Sequence, residues 1–203
     1  MVLNDADIRK LCLDEQGMCL PHPMLYPFSE GVSGNGVISY GLTHSGYDLR
    51  LDPEEVLLFN HWNDYVIDPK RFNQEEYKNK VFTRLPIFAD TKFKWVVLPA
   101  HSYALGKSFE YFRMPRHLKA RVGGKSTLAR SGISINTTDI EAGWNGFLVI
   151  EIANLAPSPA RLYLCEGIGQ VEFSQLTAEP EICYAQKGGK YQGQTGITVA
   201  KVL

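Results

Sequence analysis

One short apolar segment carries a single carboxylate. From Phe147 to Ala153 the chain has the sequence FLVIEIA, which is rich in β-branched residues and predicts a strand. Because side chains alternate between the faces of a strand, Glu151 shares a face with Val149, while Ile150 lies on the other face. Burial on such a face would raise the pKa of the carboxyl group towards the range useful for general acid and base catalysis. Charged residues on strands are mostly exposed or paired, so a solvated glutamate is the simpler interpretation of this segment by itself.

A second group of reactive residue types precedes this strand. Residues 123–130 have the sequence GGKSTLAR, which predicts a glycine-rich turn whose backbone N–H groups and cations could bind an anion. The P-loop pattern requires a further glycine at position 119, where this chain has Lys119, so the segment is not a P-loop. Taken alone, a surface loop with two cations, Lys125 and Arg130, is the commoner explanation.

Length, composition and charge limit the possible functions. With 203 residues, of which 44% are hydrophobic, the chain can bury a sizeable core, and we predict one domain over residues 1–203. The 21 lysines and arginines are balanced by 22 acidic residues, which argues against a nucleic-acid partner. No apolar run approaches the roughly 18 residues that span a bilayer, and the segment MVLNDADIRK does not resemble a signal peptide. We therefore expect a cytoplasmic protein with no membrane partner, whose four cysteines, without a C-x-x-C pair, are reduced thiols.

The elements that would position these residues are mostly short strands. A helix is predicted from Asp5 to Cys12, with Asn4 as its N-cap, followed by an extended loop over residues 21–36. Residues 61–90 mix aromatic and charged side chains and predict a long surface connection of unassigned role. Strands are predicted at 37–40, 47–51, 56–59, 92–98, 102–112, 117–122, 147–153, 160–165 and 168–173. This pattern indicates an all-β fold with a jelly-roll-like course and a short N-terminal helix.

The C-terminal segment has more hydrogen-bonding capacity than a disordered tail requires. Residues 187–196, KGGKYQGQTG, combine two lysines, a tyrosine and two glutamines with glycines. A mobile segment of this composition could close over a bound anion. A flexible chain end without a role is the alternative, since disorder concentrates at chain ends.

Several segments together form a more specific pattern than any one of them. In chain order they are Ser39-Tyr40-Gly41 with GYDLR at 46–50, EYFRMPR at 110–116, GKSTLAR at 124–130, Glu151 in its strand, EGIGQ at 166–170 and GKYQGQ at 189–194. This pattern resembles the bacterial dCTP deaminases from end to end. The resemblance implies the distorted β jelly roll that these enzymes share with trimeric dUTPases, and a homotrimer with active sites between subunits. It also implies deamination of dCTP to dUTP and ammonia, which supplies dUMP for thymidylate synthesis, and feedback inhibition by dTTP.

The resemblance assigns roles to particular residues. Glu151 would be the catalytic carboxylate and proton shuttle, with Ser126 and Arg130 near the reacting water and the phosphates. Val149 and Ile150 would border the pyrimidine, and residues 187–203 would form a closing tail. The remaining substrate-binding positions are the nucleotide-binding block Lys125, Ser126, Thr127, Leu128, Ala129 and Arg130, and the triphosphate contacts Gln170, Tyr184, Lys190 and Gln194.

The motifs of zinc-dependent cytosine deaminases are missing from the chain. Those enzymes carry H-x-E and P-C-x-x-C, and here no histidine has a glutamate two residues later and no P-C-x-x-C occurs. We expect chemistry without a cofactor and Mg²⁺ bound only with the triphosphate of the substrate.

Three alternative functions remain at this stage. A bifunctional enzyme would also hydrolyse dUTP to dUMP and pyrophosphate; relatives of that kind carry an aspartate where this chain has Glu141, so we rank this function below the plain deaminase. A dUTPase-like pyrophosphatase would use the same fold and phosphate contacts without depending on Glu151. A non-catalytic nucleotide-binding protein would keep the 125–130 segment and could dispense with Glu151.

Overall fold

The computed structural model describes residues 1–60, 66–72 and 79–202. This part of the chain contains the short helices α1 (Asp5–Lys10) and α2 (Ser126–Ala129). No helix among the described residues is long and apolar enough to cross a membrane. The strands are β1 (Leu25–Tyr26), β2 (Val32–Gly34), β3 (Val37–Thr43), β4 (Gly46–Arg50), β5 (Leu57–Phe59), β6 (Phe82–Arg84), β7 (Phe88–Ala89), β8 (Lys94–Leu98), β9 (Ser102–Arg113), β10 (Leu118–Gly124), β11 (Ile133–Asn136), β12 (Asn145–Asn154), β13 (Ala160–Leu164) and β14 (Gly167–Gln175).

The strands form three antiparallel sheets. The largest has the order β11-β12-β9-β5-β6, with β1 also pairing with β9. A five-stranded sheet has the order β10-β14-β4-β3-β2, and a three-stranded sheet the order β13-β8-β7. Ile150 of β12, Leu49 of β4 and Phe173 of β14 are fully buried in one hydrophobic cluster, so the inner faces of the two larger sheets share a core. The predicted all-β fold is confirmed.

The N-terminal helix forms where it was predicted but is shorter. Asn4 is its N-cap, and the side-chain oxygen accepts a hydrogen bond of 2.9 Å from the backbone N–H of Asp7. The helix ends at Lys10, with Leu11 as the C-cap, rather than at Cys12. Cys12 is buried in the core just after the helix, where burial raises the pKa of its thiol to about 12.

Five strands lie in segments for which no strand was predicted. One is β11 (Ile133–Asn136), and the other four are shorter. The expected extended loop at 21–36 contains β1 and β2, and the expected connection at 61–90 contains β6 and β7. Each has only two or three residues, too few for an alternating pattern to be visible in the sequence. Residues 61–65 and 73–78 of that connection lie outside the described residues.

Pairing of β12 with β9 changes register near the start of β12. Phe147 pairs with Tyr111, whereas Val149 pairs with Lys107, so β9 contains two additional residues at this bulge. The Ser108 side chain lies in the bulge and accepts a hydrogen bond of 2.8 Å from the backbone N–H of Leu148. Beyond the bulge the pairing is regular, and it brings Leu105 directly opposite Glu151.

Candidate active site

Strand β12 presents Glu151 to a cavity of about 840 Å³. Burial alternates along the strand: Ile150 and Ile152 enter the core, whereas Val149 and Glu151 line the cavity. The Glu151 Oε2 atom is buried and has no hydrogen-bond partner among the described residues. Burial raises the pKa of the Glu151 carboxyl group above its ordinary value. The carboxylate is thus partly desolvated rather than fully hydrated, as a general acid and base requires.

Aromatic side chains form one wall of this cavity. The ring of Phe59 lies with its centroid 5.2 Å from that of Tyr103 and 4.5 Å from that of Phe82, and Phe72 lies 5.7 Å from Phe82. Burial, and secondarily the charge of Glu151, raise the pKa of the Tyr103 phenol, so these two groups interact electrostatically. The aromatic wall therefore supplies the apolar surroundings that favour a protonated Glu151.

Another part of the cavity lining is polar. Its described residues are Arg121, Thr137, Thr138, Asp139 and Glu141. Lys119 Nζ lies 2.6 Å from Asp139 Oδ2, and this hydrogen bond lowers the pKa of Asp139, which stays charged. The Arg121 side chain is 83% exposed, and its Nε atom lies as far as 3.9 Å from Asp139 Oδ1. Most of the Arg121 donors are therefore available to solvent or to a ligand. Arg121 and the two threonines can therefore donate hydrogen bonds to a polar ligand from this wall.

The segment after Tyr184 closes the end of the cavity near the start of β12. Gln194 accepts a hydrogen bond of 3.0 Å from the backbone N–H of Phe147 through its own backbone oxygen, and its Nε2 donates to the oxygen of Phe147 at 2.6 Å. The Tyr184 hydroxyl accepts a hydrogen bond of 3.2 Å from the N–H of Tyr191. The Gln194 Oε1 atom, like Glu151 Oε2, is buried without a partner in the described part of the chain. Two acceptors in one cavity therefore lack donors.

Lys190 lies outside the cavity. Its Nζ donates a hydrogen bond of 3.2 Å to the backbone oxygen of Lys201, and the residue does not line the cavity. Of the predicted contacts, Val149, Glu151, Tyr184 and Gln194 are brought together around one cavity. Ile150 is fully buried on the core face of β12, so its side chain does not border the cavity as expected.

The Gly123-Gly124 pair does not form the predicted turn. Both glycines belong to β10, where Gly123 pairs with Gln170 and Gly124 with Gly169 of β14. Lys125 follows as the N-cap of α2 and forms an ion pair with Asp48 Oδ2, in which the side chains are 10% and 9% exposed. The lysine is therefore held by a carboxylate rather than free in a surface loop.

The rest of this block lies at one end of β11 and away from Glu151. Ser126, Thr127, Ala129 and Arg130 are exposed, and Leu128 is buried in the hydrophobic core. None of them lines the cavity. Gln170 lies on the five-stranded sheet opposite Asp48 in the β14–β4 register. A single chain therefore does not bring Ser126, Arg130 or Gln170 to the Glu151 carboxylate.

The acidic and sulfur-containing side chains are dispersed. Within residues 1–60, 66–72 and 79–202, no group of three or more His, Cys, Asp or Glu residues has the arrangement of a metal site. Of the carboxylates that line the cavity, Glu151 belongs to β12, whereas Asp139 and Glu141 belong to the segment between β11 and β12. The donor set thus fits a metal ion that brings its own ligands, such as phosphate oxygens, better than a metal held by the protein alone.

Sequence reasoning did not identify two neighbours of Glu151. Tyr103 belongs to a predicted strand, and alternation along that strand places it on the face of Leu105, but only the pairing with β12 brings that face to Glu151. Asn136 ends β11 and pairs directly with Glu151. Register between strands distant in sequence leaves no local signal, so neither neighbour could be found from spacing.

Comparisons with known proteins agree on one family. The sequence profile of the dCTP deaminase-like family matches residues 3–176. A dCTP deaminase of Chloroflexus aurantiacus is 44% identical over 185 residues, which cover 91% of this chain and 93% of that protein. A dCTP deaminase of Campylobacter lari is 43% identical over 186 residues, covering 92% of this chain and 94% of that protein.

One solved structure shows the same fold. The crystal structure of 2'-deoxycytidine 5'-triphosphate deaminase from Agrobacterium tumefaciens aligns with a TM-score of 0.53 and 18% identity. The alignment covers 85% of this chain but 46% of that longer chain, so this chain spans about half its length.

Proposed function

Since this chain belongs to the dCTP deaminase-like family, we propose that it converts dCTP and water to dUTP and ammonia. One observation carries the proposal: a partly desolvated carboxylate, Glu151, has an unpartnered oxygen in a cavity of about 840 Å³. A carboxyl group whose pKa is raised by burial can both accept and return a proton near neutral pH. Glu151 is accordingly the proton shuttle in this proposal.

The reaction requires proton transfers at three positions. Glu151 takes a proton from water as the water oxygen bonds to C4 of cytosine, and passes it to N3. The hydroxyl proton of the resulting tetrahedral adduct then goes to the amine by way of Glu151. Collapse of the adduct breaks the C4–N bond, releases ammonia and leaves a carbonyl at C4, and Glu151 returns to its starting state.

The resemblance to the dCTP deaminases and the spacing along β12 support one orientation of the nucleotide. Gln194 is fixed to Phe147, and Glu151 lies four residues further along β12, a separation of about 13 Å at ~3.3 Å per residue. We place the base at Glu151 and Val149 and the triphosphate towards Tyr184 and Gln194. Residues 187–203, including Lys190, would act as the tail that closes over the triphosphate.

A homotrimer would complete this site. Ser126 and Arg130 do not meet Glu151 within one chain, which supports their contribution, with Lys125, Thr127 and Gln170, from a neighbouring subunit. In this arrangement Arg130 contacts the phosphates and Ser126 the reacting water. The proposal further includes a cytoplasmic enzyme that supplies dUMP synthesis and responds to dTTP.

No cofactor takes part in the proposed chemistry. The absence of the H-x-E and P-C-x-x-C motifs from the sequence supports independence from zinc. Mg²⁺ would bind with the triphosphate, whose oxygens supply most of its ligands.

The test is a product analysis. Purified protein is incubated with dCTP and Mg²⁺, with and without a zinc chelator, and dCTP, dUTP and dUMP are separated by ion-exchange chromatography. We expect dUTP to accumulate at the same rate with and without the chelator. Loss of activity with the chelator would refute zinc independence, and unchanged dCTP would refute the deaminase function.

The position of Glu141 favours one second candidate, the bifunctional enzyme. Glu141 lines the same cavity as Glu151, so a second carboxylate is available to a water molecule near the bound nucleotide. A bifunctional enzyme would yield dUMP and pyrophosphate in the same assay. Glu141→Gln would then abolish dUMP formation and leave dUTP formation intact.

A further inference from the structure

The strand register places the polar side chain of Asn136 opposite Glu151. Asn136 of β11 pairs with Glu151 of β12, and Ser134 pairs with Ala153 in the same register. Directly paired residues of antiparallel strands project from the same face, with Cβ atoms about 4.5–5.5 Å apart. The Asn136 side chain therefore projects from the same face of the sheet as the carboxylate, although Asn136 itself does not line the cavity.

The two strands that flank β12 offer Glu151 different neighbours. On β9 the opposite residue is Leu105, which has no polar side-chain atom. On β11 it is Asn136, whose side chain is exposed and makes no hydrogen bond with a described residue. The carboxylate has a buried oxygen without a partner, and the neighbouring amide has two free N–H donors. A donor and an acceptor without partners thus lie at paired positions, on the same face of the sheet.

We propose that Asn136 is a positioning residue, whose side-chain N–H donates a hydrogen bond to the Glu151 carboxylate when Glu151 is ionised. Its role in turnover rests on the proposed deaminase function. A donor to the charged form favours that form, and so offsets part of the effect of burial by the aromatic wall. The same bond would hold the carboxylate in one orientation while it passes a proton between water, N3 and the departing amine.

Other charged and titratable groups around the cavity must be separated from this effect. They are Tyr103 and Lys107 on β9, Arg121 on β10, Asp139 and Glu141 on the polar wall, and Tyr184 and Tyr191 in the C-terminal segment. Lys107 is bound by Asp52 at 2.7 Å and by Glu54 at 3.2 Å. Changing only Asn136 keeps all these groups constant.

The first experiment measures Glu151 without substrate. Carbon-13 NMR of labelled glutamate carboxyl groups, with the Glu151 signal assigned by its loss in Glu151→Gln, gives its pKa in the wild type and in variants. We expect Asn136→Ala to raise the pKa of Glu151, and Asn136→Asp to raise it further because a like charge then faces it. Ser134→Ala is the matched control on the same strand and face, and should change nothing. An unaltered pKa in both Asn136 variants, with native circular dichroism, would overturn the proposal.

The second experiment measures turnover. A hydrogen bond to a charged group contributes enough that Asn136→Ala should lower kcat for dCTP about 10- to 100-fold, with KM nearly unchanged. The pH at which kcat falls on the acid side should move upwards together with the pKa from NMR. A change confined to KM would mean that Asn136 contacts substrate, which contradicts a positioning role. If the wild type does not deaminate dCTP, the proposed function fails, while the NMR titration still decides the hydrogen bond.

Discussion

Replacing Glu151 by glutamine should separate binding from chemistry. Glutamine keeps the size of the side chain and removes the ionisable carboxyl group. The other described carboxylates that line the cavity are Asp139 and Glu141, and Asp139 is bound to Lys119 at 2.6 Å. Neither belongs to strand β12, so we expect neither to replace Glu151 as the base. General acid and base catalysis contributes about 10²- to 10⁴-fold, and one group serves several steps here, so kcat should fall at least ~10³-fold.

The same substitution should change stability in a pH-dependent way. Burial raises the pKa of Glu151 in the folded protein above its unfolded value, so ionisation disfavours the folded state. The free energy of unfolding should therefore fall as the pH rises through the raised pKa, and Glu151→Gln should lack this decrease. Since one carboxylate oxygen is buried without a partner, the variant should be more stable than the wild type by about 1 kcal/mol at pH 8, and no more stable at pH 4.

Three measurements compare the Glu151→Gln variant with the wild type. Chromatography gives turnover, calorimetry gives dCTP affinity, and urea unfolding at several pH values gives stability. Glu15→Gln changes an exposed carboxylate in the same way and serves as the control. Turnover within tenfold of the wild type would refute the proton shuttle. Equal pH dependence of stability in the variant and the wild type would refute the desolvation of Glu151.

Three further predictions concern the subunit contact, the aromatic wall and the buried ion pair. The Arg130→Ala and Glu151→Gln variants should each be inactive. Refolding the two variants together in equal amounts should restore about a quarter of wild-type activity if sites form between subunits. No activity should return if each chain holds a complete site. Tyr103→Ala should admit water to Glu151 and lower the pKa of Glu151, so the acid limb of the pH–kcat profile should move to lower pH. Tyr103→Phe should leave the acid limb nearly in place. A shift of the acid limb to higher pH in Tyr103→Ala would contradict the role of the aromatic wall. Lys125→Met should leave Asp48 buried and unpaired and destabilise the protein by about 3–5 kcal/mol in urea unfolding, and a loss below ~1 kcal/mol would show that Asp48 finds another partner.

The sequence predicted the elements whose pattern is long enough to repeat. Strands β9 and β12 are 12 and 10 residues long, and both contain several β-branched or aromatic side chains. Both strands were predicted to within two residues at each end. The two-residue strands β1 and β7 have no period, and they exist because longer strands offer them partners. The Gly123-Gly124 pair was wrongly predicted as a turn, because glycine favours turns in general but here extends β10.

The candidate site was predictable only to the level of single residues. Glu151 was identifiable because one carboxylate interrupts an apolar alternating strand. Its surroundings depend on which strands lie beside β12, and the neighbours Leu105 and Asn136 are 46 and 15 residues away in sequence. The partner of Lys125 is likewise Asp48, on a strand that no local pattern connects with it.

The alternation of β12 has a consequence for how such a protein can evolve. Each residue that faces the cavity is followed by one that fills the core, and the strand is paired on both sides, with β9 and β11. Substitutions at Val149 or Glu151 alter the cavity and leave the main hydrophobic cluster, which contains Ile150 and Ile152, intact. An insertion or deletion of one residue beyond the bulge would exchange the two sets, moving Glu151 into the core and Ile150 into the cavity. Diversification at this strand must therefore proceed by replacement at alternate positions, and its length is fixed.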